Sequence, residues 1–264
     1  MSKLILKQEG RETKESNIGM NKAAFFDIDG TLFRNSLLIE HFLKLVANGI
    51  LDKKIWTEDI GPLYSNYENR LGAYEEYLEE SALAYQRAMK GLDREVIDKY
   101  AQIVLKENKN KVYNFTKKAV KKHIEEGYLV FFISGSPDFL VYDFSKLYGA
   151  TGSISTEYIF DENNKFSGKV LPMWDGESKF SAVLKLKNQY EINLDKSFAY
   201  GDTNGDITMF ELVGNPHAIN PSFELIDKLY KDKDLREKSI IDIERKDVNY
   251  SFALKQLKVG FAKF

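Results

Sequence analysis

The chain contains no cysteine, and this single absence removes disulfide bridges, zinc–thiolate sites and thiol nucleophiles together. Histidine is scarce too, with three in 264 residues, and His41, His123 and His217 are too far apart in sequence to form a ligand motif. No long hydrophobic run occurs: the longest, about Tyr128 to Ile133, falls far short of the roughly 20 residues that span a bilayer. No signal-peptide core is visible at the N-terminus, so a cytoplasmic location without a membrane partner is expected. A dominant charge sign is also missing. Lys and Arg total 38 against 40 Asp and Glu, for a formal net charge of −2, which gives no global field favouring nucleic acid. A small molecule is the expected partner. The chemistry that remains belongs to carboxylates, hydroxyls and lysines.

The order of the chain shows how these groups are gathered. Residues 1–20 are rich in Lys, Glu, Ser and Gly and end at Met20; they read as a disordered leader. Ala23 to Phe26 then form an apolar run that stops abruptly at Asp27-Ile28-Asp29-Gly30-Thr31, as a buried strand does when it delivers a polar loop. Two similar runs follow, Leu129 to Ile133 before Ser134-Gly135-Ser136, and Ser197 to Tyr200 before Gly201-Asp202. Helical periodicity lies between them, as in Phe115, Ala119, Val120 and Ile124, with Gly127 at the expected cap. Strand and helix alternate, which predicts an α/β fold with a parallel sheet flanked by helices. In open sheets of this kind ligands collect at the carboxyl ends of the strands.

From Ser36 to Lys109 the pattern is helical throughout, with stripes such as Tyr74, Tyr77, Leu78 and Tyr85, and Asp93 placed to cap a second stripe. The expected organisation is a core of residues 21–35 and 110–264 with a helical cap inserted over 36–109. Ile154 to Phe160 and Phe166 to Val170 read as a hairpin beside the sheet, and Ile240 to Ile243 as a short strand in the tail.

Four loops carry the candidate chemistry. In the first, Asp27 and Asp29 are two residues apart, a spacing that places both carboxylates on one side of an extended segment unless Gly30 turns the chain at once. One acid of such a pair can attack phosphorus while the other, with its pKa raised, protonates a leaving oxygen; the competing reading is a strand ending in a solvated Asp-Gly turn. The second loop, Ser134-Gly135-Ser136-Pro137-Asp138, reads as a capped helix start with Ser136 as cap and Pro137 in the first turn, whose free amides would bind an anion. Lys179 opens an amphipathic segment, one of many lysines and notable only for its place among the other loops. The fourth loop, Gly201-Asp202-Thr203-Asn204-Gly205-Asp206, offers oxygen ligands that suit a hard cation. It is not an EF-hand, because the positions that would need Gly and Glu are Ile207 and Val213. Mg²⁺ is therefore the expected metal.

These four loops, in this order, resemble the motif set of the haloacid dehalogenase superfamily, and in particular its phosphoserine phosphatase-like branch. The resemblance spans about Ala23 to Pro221, including the insertion after the first motif. It implies a Rossmann-like fold and a Mg²⁺-dependent phosphatase acting on a small phosphorylated metabolite through an aspartyl-phosphate. Asp27 would be the nucleophile and Asp29 the acid/base, while Ser134 and Lys179 would bind the phosphoryl group, with Gly135 and Gly30 as backbone contacts. The metal would be held by Asp27, Asp202 and the backbone carbonyl of Asp29, with Asp206 ordering its surroundings. A true dehalogenase needs neither a second acid nor a metal, so the Asp29, Asp202 and Asp206 complement argues against one. Phosphotransfer to an alcohol fits the same motifs, and a catalytically silent phosphate-binding module is the reading from another class. Two departures bear on substrate: members specific for phosphoserine usually carry Glu where this chain has Ser36, and Asn where it has Gly205. A substrate other than phosphoserine is expected.

Overall fold

The structure, a computed structural model, describes residues 21–258 except 70 and 73, so the leader expected over residues 1–20 lies outside the described residues. Eight strands form one sheet in the order β4-β3-β2-β1-β5-β6-β7-β8. They are β1 (Ala23–Phe26), β2 (Leu129–Pro137), β3 (Gly152–Phe160), β4 (Phe166–Leu171), β5 (Phe198–Gly201), β6 (Asn215–Ile219), β7 (Ile240–Arg245) and β8 (Val248–Ala253). Every pairing from β3 across to β7 is parallel, and only the two outermost, β3–β4 and β7–β8, are antiparallel. The chain builds outward from β1 on one side through β2 and β3, then returns to β5 on the other, so the connections reverse direction at β1. A crevice opens at such a point, beyond the strands' carboxyl ends.

Side-chain alternation explains why both faces are covered. Ala24 and Phe26 pack to one side with Val130 and Phe132, while Ala23 and Phe25 pack to the other with Phe131 and Ile133. Each buried phenylalanine contributes on the order of 2–3 kcal/mol from lost apolar surface. The first face receives α1 (Leu37–Ala47), α5 (Asn114–Glu125) and α6 (Asp138–Leu147); the second receives α7 (Gly176–Tyr190), α8 (Ile207–Leu212), α9 (Phe223–Lys231) and α10 (Lys233–Lys238).

Between β1 and α5 the described residues contain helix but no strand: α1, a π-helical turn at Ile55–Ile60 leading into α2 (Gly61–Glu68), then α3 (Tyr74–Met89) and α4 (Arg94–Asn108). A bridge between Phe33 and Val112 joins the two ends of this segment. The α3–α4 turn is fastened to the β3–β4 hairpin, where Gly91 N donates to Phe166 O at 2.8 Å and Phe166 N to Leu92 O at 2.9 Å.

Local details differ from the sequence expectation. β2 runs on through Ser134, Gly135 and Ser136 to Pro137, with a register shift against β3 between Ser134 and Pro137. Pro137 occupies the N-cap of α6 and Ser136 does not cap it, because the extended chain turns the Ser136 hydroxyl elsewhere. Asp93 stands at the N-cap of α4, yet its carboxylate binds Lys165 Nζ at 2.8 Å. The expected hairpin exists, but β3 is a full parallel member of the sheet. The tail forms the expected strand as β7 and adds β8 beside it.

Candidate active site

Asp27 follows β1 directly, and its amide donates to Tyr200 O (2.9 Å), so its position is fixed by the pairing of β1 with β5. Beyond it the chain winds tightly: Ile28 O accepts from the amides of Thr31, Leu32 and Phe33. Gly30 has φ +84°, and a Cβ built there would lie 2.0 Å from Asp202 Oδ2. Glycine is needed here for the left-handed turn and for the close approach of Asp202.

Lys179, in the first turn of α7, brings the loops together. Its ammonium binds Asp27 Oδ1 at 2.7 Å and Asp206 Oδ1 at 2.6 Å, with all three groups buried. The other oxygen of Asp206 accepts from the amides of Asp202 (3.0 Å) and Thr203 (3.1 Å), so both its oxygens already have protein donors. Asp202 Oδ1 accepts from Thr31 Oγ1 at 2.9 Å. Oxygens of Asp27, Asp202 and Asp206 lie within 4.8 Å of one another, and this is the acidic cluster with metal-binding spacing among the described residues.

Asp29 turns to the end of β2. Its Oδ2 accepts from Ser136 Oγ at 2.6 Å and Ser134 Oγ at 3.3 Å, and its Oδ1 accepts from Leu37 N at 2.6 Å. Ser136 also accepts from Leu38 N (3.2 Å), which ties the start of α1 to the same point. Its part in the site was open to sequence reasoning, since Ser134 and Ser136 share a strand face once β2 is extended that far. Asp27, Asp29, Gly135, Ser136 and Lys179 line a cavity of about 610 Å³, walled on one side by Leu38, Leu78 and Leu83. Ser134, Asp202 and Asp206 are buried behind it.

Gly205 has a steric explanation. A Cβ there would lie 2.7 Å from Trp174 O, so the asparagine that the family resemblance leads one to expect at this position would clash with the chain before α7.

The electrostatics of the cluster are unbalanced. Burial pushes Asp27 up to about 8, Lys179 opposes the shift, and the charges of Asp206 and Asp29 add to it. Burial also raises Asp202 well above the usual carboxylate range, with Asp27 and Asp206 adding to the shift. For Lys179 burial alone would lower the pKa, but the attraction of Asp206 and Asp27 outweighs it and the ammonium is held above its ordinary value. Among the described residues one buried cation, Lys179, thus faces Asp27, Asp29, Asp202 and Asp206. A hard divalent ion fits this donor set, which offers carboxylate oxygens and neither imidazole nor thiolate.

A sequence model of the haloacid dehalogenase-like hydrolases matches residues 24–211, most of the chain and all four loops. The chain is a haloacid dehalogenase-like hydrolase. Relatives of this hydrolase include phosphoserine phosphatase SerB1 of Mycobacterium tuberculosis (strain ATCC 25618 / H37Rv), 27% identical over 80% of this chain and 69% of that one. The Streptomyces azureus protein named for inhibition of morphological differentiation is 24% identical over 75% of this chain and 72% of its own. Among solved structures, a protein of unknown function from Bordetella pertussis Tohama I superposes with TM-score 0.64 at 18% identity, covering 79% of the hydrolase and 94% of that chain. A phosphoserine phosphatase described as a phospho-aspartyl intermediate analogue gives TM-score 0.55 at 22% identity, covering 86% and 95%. At these identities the structural likenesses speak for the fold.

Proposed function

We propose that the chain hydrolyses a small phosphomonoester through a covalent phosphoryl group on Asp27. The observation that carries this reading is the meeting of Asp27, Lys179, Asp202 and Asp206 at the point where the sheet reverses direction, with Asp29 held beside them by two serines. The chain is a phosphoric monoester hydrolase; its substrate, its intermediate and the identity of its metal are the proposed parts.

In the first step Asp27 attacks phosphorus, forming the Asp27–phosphorus bond as the bond to the leaving oxygen breaks. Asp29 gives its proton to that oxygen; burial, though opposed by hydrogen bonds from Ser136 and the Leu37 amide, keeps its carboxyl above the ordinary range and so favours the protonated acid this step needs. In the second step Asp29 takes a proton from water, whose oxygen attacks phosphorus and releases inorganic phosphate and free Asp27. Lys179 and Ser134 hold the phosphoryl oxygens, with Gly135 and Gly30 as backbone contacts. Asp27, Asp202 and the Asp29 carbonyl would hold Mg²⁺, and Asp206 orders that site through Lys179 and the loop amides. Once bound, the ion supplies positive charge against the repulsion between a carboxylate and a phosphate dianion, which at about 4 Å is roughly 1 kcal/mol per charge pair in water and several times more in a site of lower dielectric.

Residues 36–109 form the cap over this cavity. Ser36 lines it, but its hydroxyl accepts from Ile39 N (3.4 Å) as the cap of α1, so the carboxylate that would meet a substrate amine in phosphoserine-specific members is missing. The proposed substrate is therefore a small phosphomonoester other than phosphoserine.

The test is hydrolysis of p-nitrophenyl phosphate and a panel of phosphorylated metabolites, with Mg²⁺ and with chelator. Activity is expected only with the metal. Asp27→Asn should lower kcat by at least about 10³-fold with an unchanged circular dichroism spectrum. Substantial turnover by that variant would be incompatible with covalent catalysis at Asp27.

A further inference from the structure

The two ends of α3 are attached to the core very differently. The C-terminal end is held by several bonds: besides the Gly91 and Leu92 contacts with Phe166, Gln86 Nε2 donates to Gly168 O at 2.8 Å and Arg94 N to Asn164 O at 2.8 Å. At the N-terminal end, among the described residues, the side chain of Glu75 reaches across. Glu75 Oε1 accepts from Asn204 N at 2.9 Å and from Ser222 Oγ at 3.2 Å, partners 129 and 147 positions away.

Those partners belong to the loops that hold Asp202. Asn204 lies between Asp202 and Asp206, and Ser222 N donates to Asp202 O at 2.7 Å. A single carboxylate oxygen on the inserted segment therefore bridges the loop after β5 and the loop after β6. Glu75 and Asn204 both line the cavity, so the bridge forms part of its wall. Next to Glu75, burial raises the pKa of the Tyr74 hydroxyl, and the charges of Asp202 and Asp29 add to the shift. An acid in a helix's first turn would ordinarily interact with its own amides. Here Glu75 bonds to the core instead.

We propose that Glu75 is a positioning residue, a latch that fixes the Asp202–Asp206 loop when the N-terminal end of α3 is closed over the cavity and that releases when this end lifts. The fixed C-terminal end of α3 supplies the pivot. Closure and the arrangement of the acidic loop are then one event, since the same bonds that shut the wall hold the Asn204 amide and, through Ser222, the Asp202 carbonyl. The role in turnover rests on the phosphatase reading; the latch itself does not.

The test joins single-amide hydrogen exchange, followed by NMR, with steady-state kinetics on p-nitrophenyl phosphate at saturating Mg²⁺. In Glu75→Ala the Asn204 amide should exchange about tenfold faster or more, and kcat should fall by about tenfold or more while KM moves by less than about threefold. Glu75→Gln keeps an oxygen that accepts both bonds, so it should restore the protection of Asn204 and return kcat to within about threefold of wild type. Unchanged Asn204 exchange in Glu75→Ala overturns the latch, as does a glutamine variant as impaired as alanine, because charge rather than bond acceptance would then be at work. Should the wild-type protein hydrolyse no phosphomonoester, the phosphatase reading fails while the exchange measurement still decides the latch.

Discussion

Lys179 is buried with a carboxylate on either side, and its removal shows what a lone cation does in such a place. In Lys179→Met, Asp27 Oδ1 and Asp206 Oδ1 would lose the ammonium that binds both, while Asp206 keeps its loop amides, and breaking a buried pair in this way costs about 3–5 kcal/mol. Urea denaturation with chelator should show that loss, and saturating Mg²⁺ should recover part of it by taking the lysine's place near Asp27. Ser136 acts on the other acid. Its hydroxyl bond lowers the Asp29 pKa against the larger effect of burial, so Ser136→Ala should raise that pKa further. The protonated acid would then persist to higher pH, moving the alkaline limb of the kcat/KM profile upward, while the less firmly held carboxyl lowers kcat by about tenfold. A profile that stays in place with kcat unchanged would remove Ser136 from the mechanism.

Helix packing around the cavity depends on a neutral histidine. His41 of α1 sits between α3 and α4, with Nε2 at 3.1 Å from Ile97 O and Nδ1 at 2.6 Å from Tyr85 Oη. Ile97 O can only accept, so Nε2 carries the proton and Nδ1 accepts from Tyr85. Both nitrogens are satisfied without charge. Burial lowers the His41 pKa to about 4. The unfolded chain, with a histidine near its ordinary 6.5, binds the proton first as pH falls. Stability from this group is therefore complete above about 6.5 and is lost as pH drops toward 4, by up to roughly 3 kcal/mol. Urea melts at pH 7 and pH 4.5 should show a shallower pH dependence in His41→Asn than in wild type.

The same elements show what could be read from the chain alone. β1, β2 and β5 were legible because each is a short apolar run ending in a polar loop, and α3 and α4 because their buried residues keep helical spacing. β8 was not, because none of its residues is buried and its turn uses Lys246 at φ 56° in place of a glycine or asparagine. Pro137 misled in a different way: a proline reads as the first turn of a helix, yet here it closes a strand whose extension turns Ser136 toward Asp29. Glu75 had no local signal at all, because its partners come close only once β5 and β6 lie side by side.

At the scale of the whole molecule, the sheet concentrates negative charge at its reversal point and leaves, among the described residues, one buried lysine to balance it. That arrangement makes metal binding a protonation equilibrium. Without a metal, burial pushes Asp27 up to about 8 against the pull of Lys179 and holds Asp202 above the usual carboxylate range, so a cation arriving at neutral pH competes with protons for these oxygens. Mg²⁺ affinity should consequently rise with pH through the neutral range, by up to about tenfold per pH unit for each proton displaced. Titration calorimetry in two buffers of different ionisation enthalpy measures those protons directly: the apparent binding enthalpies should differ in proportion to the protons released. Because the ion binds the folded chain alone, the melting temperature should climb with its concentration, and the gain should be larger at pH 8 than at pH 6. A proton count of zero at neutral pH would mean that Asp27 and Asp202 are already ionised there, with Lys179 sufficient to hold the charge.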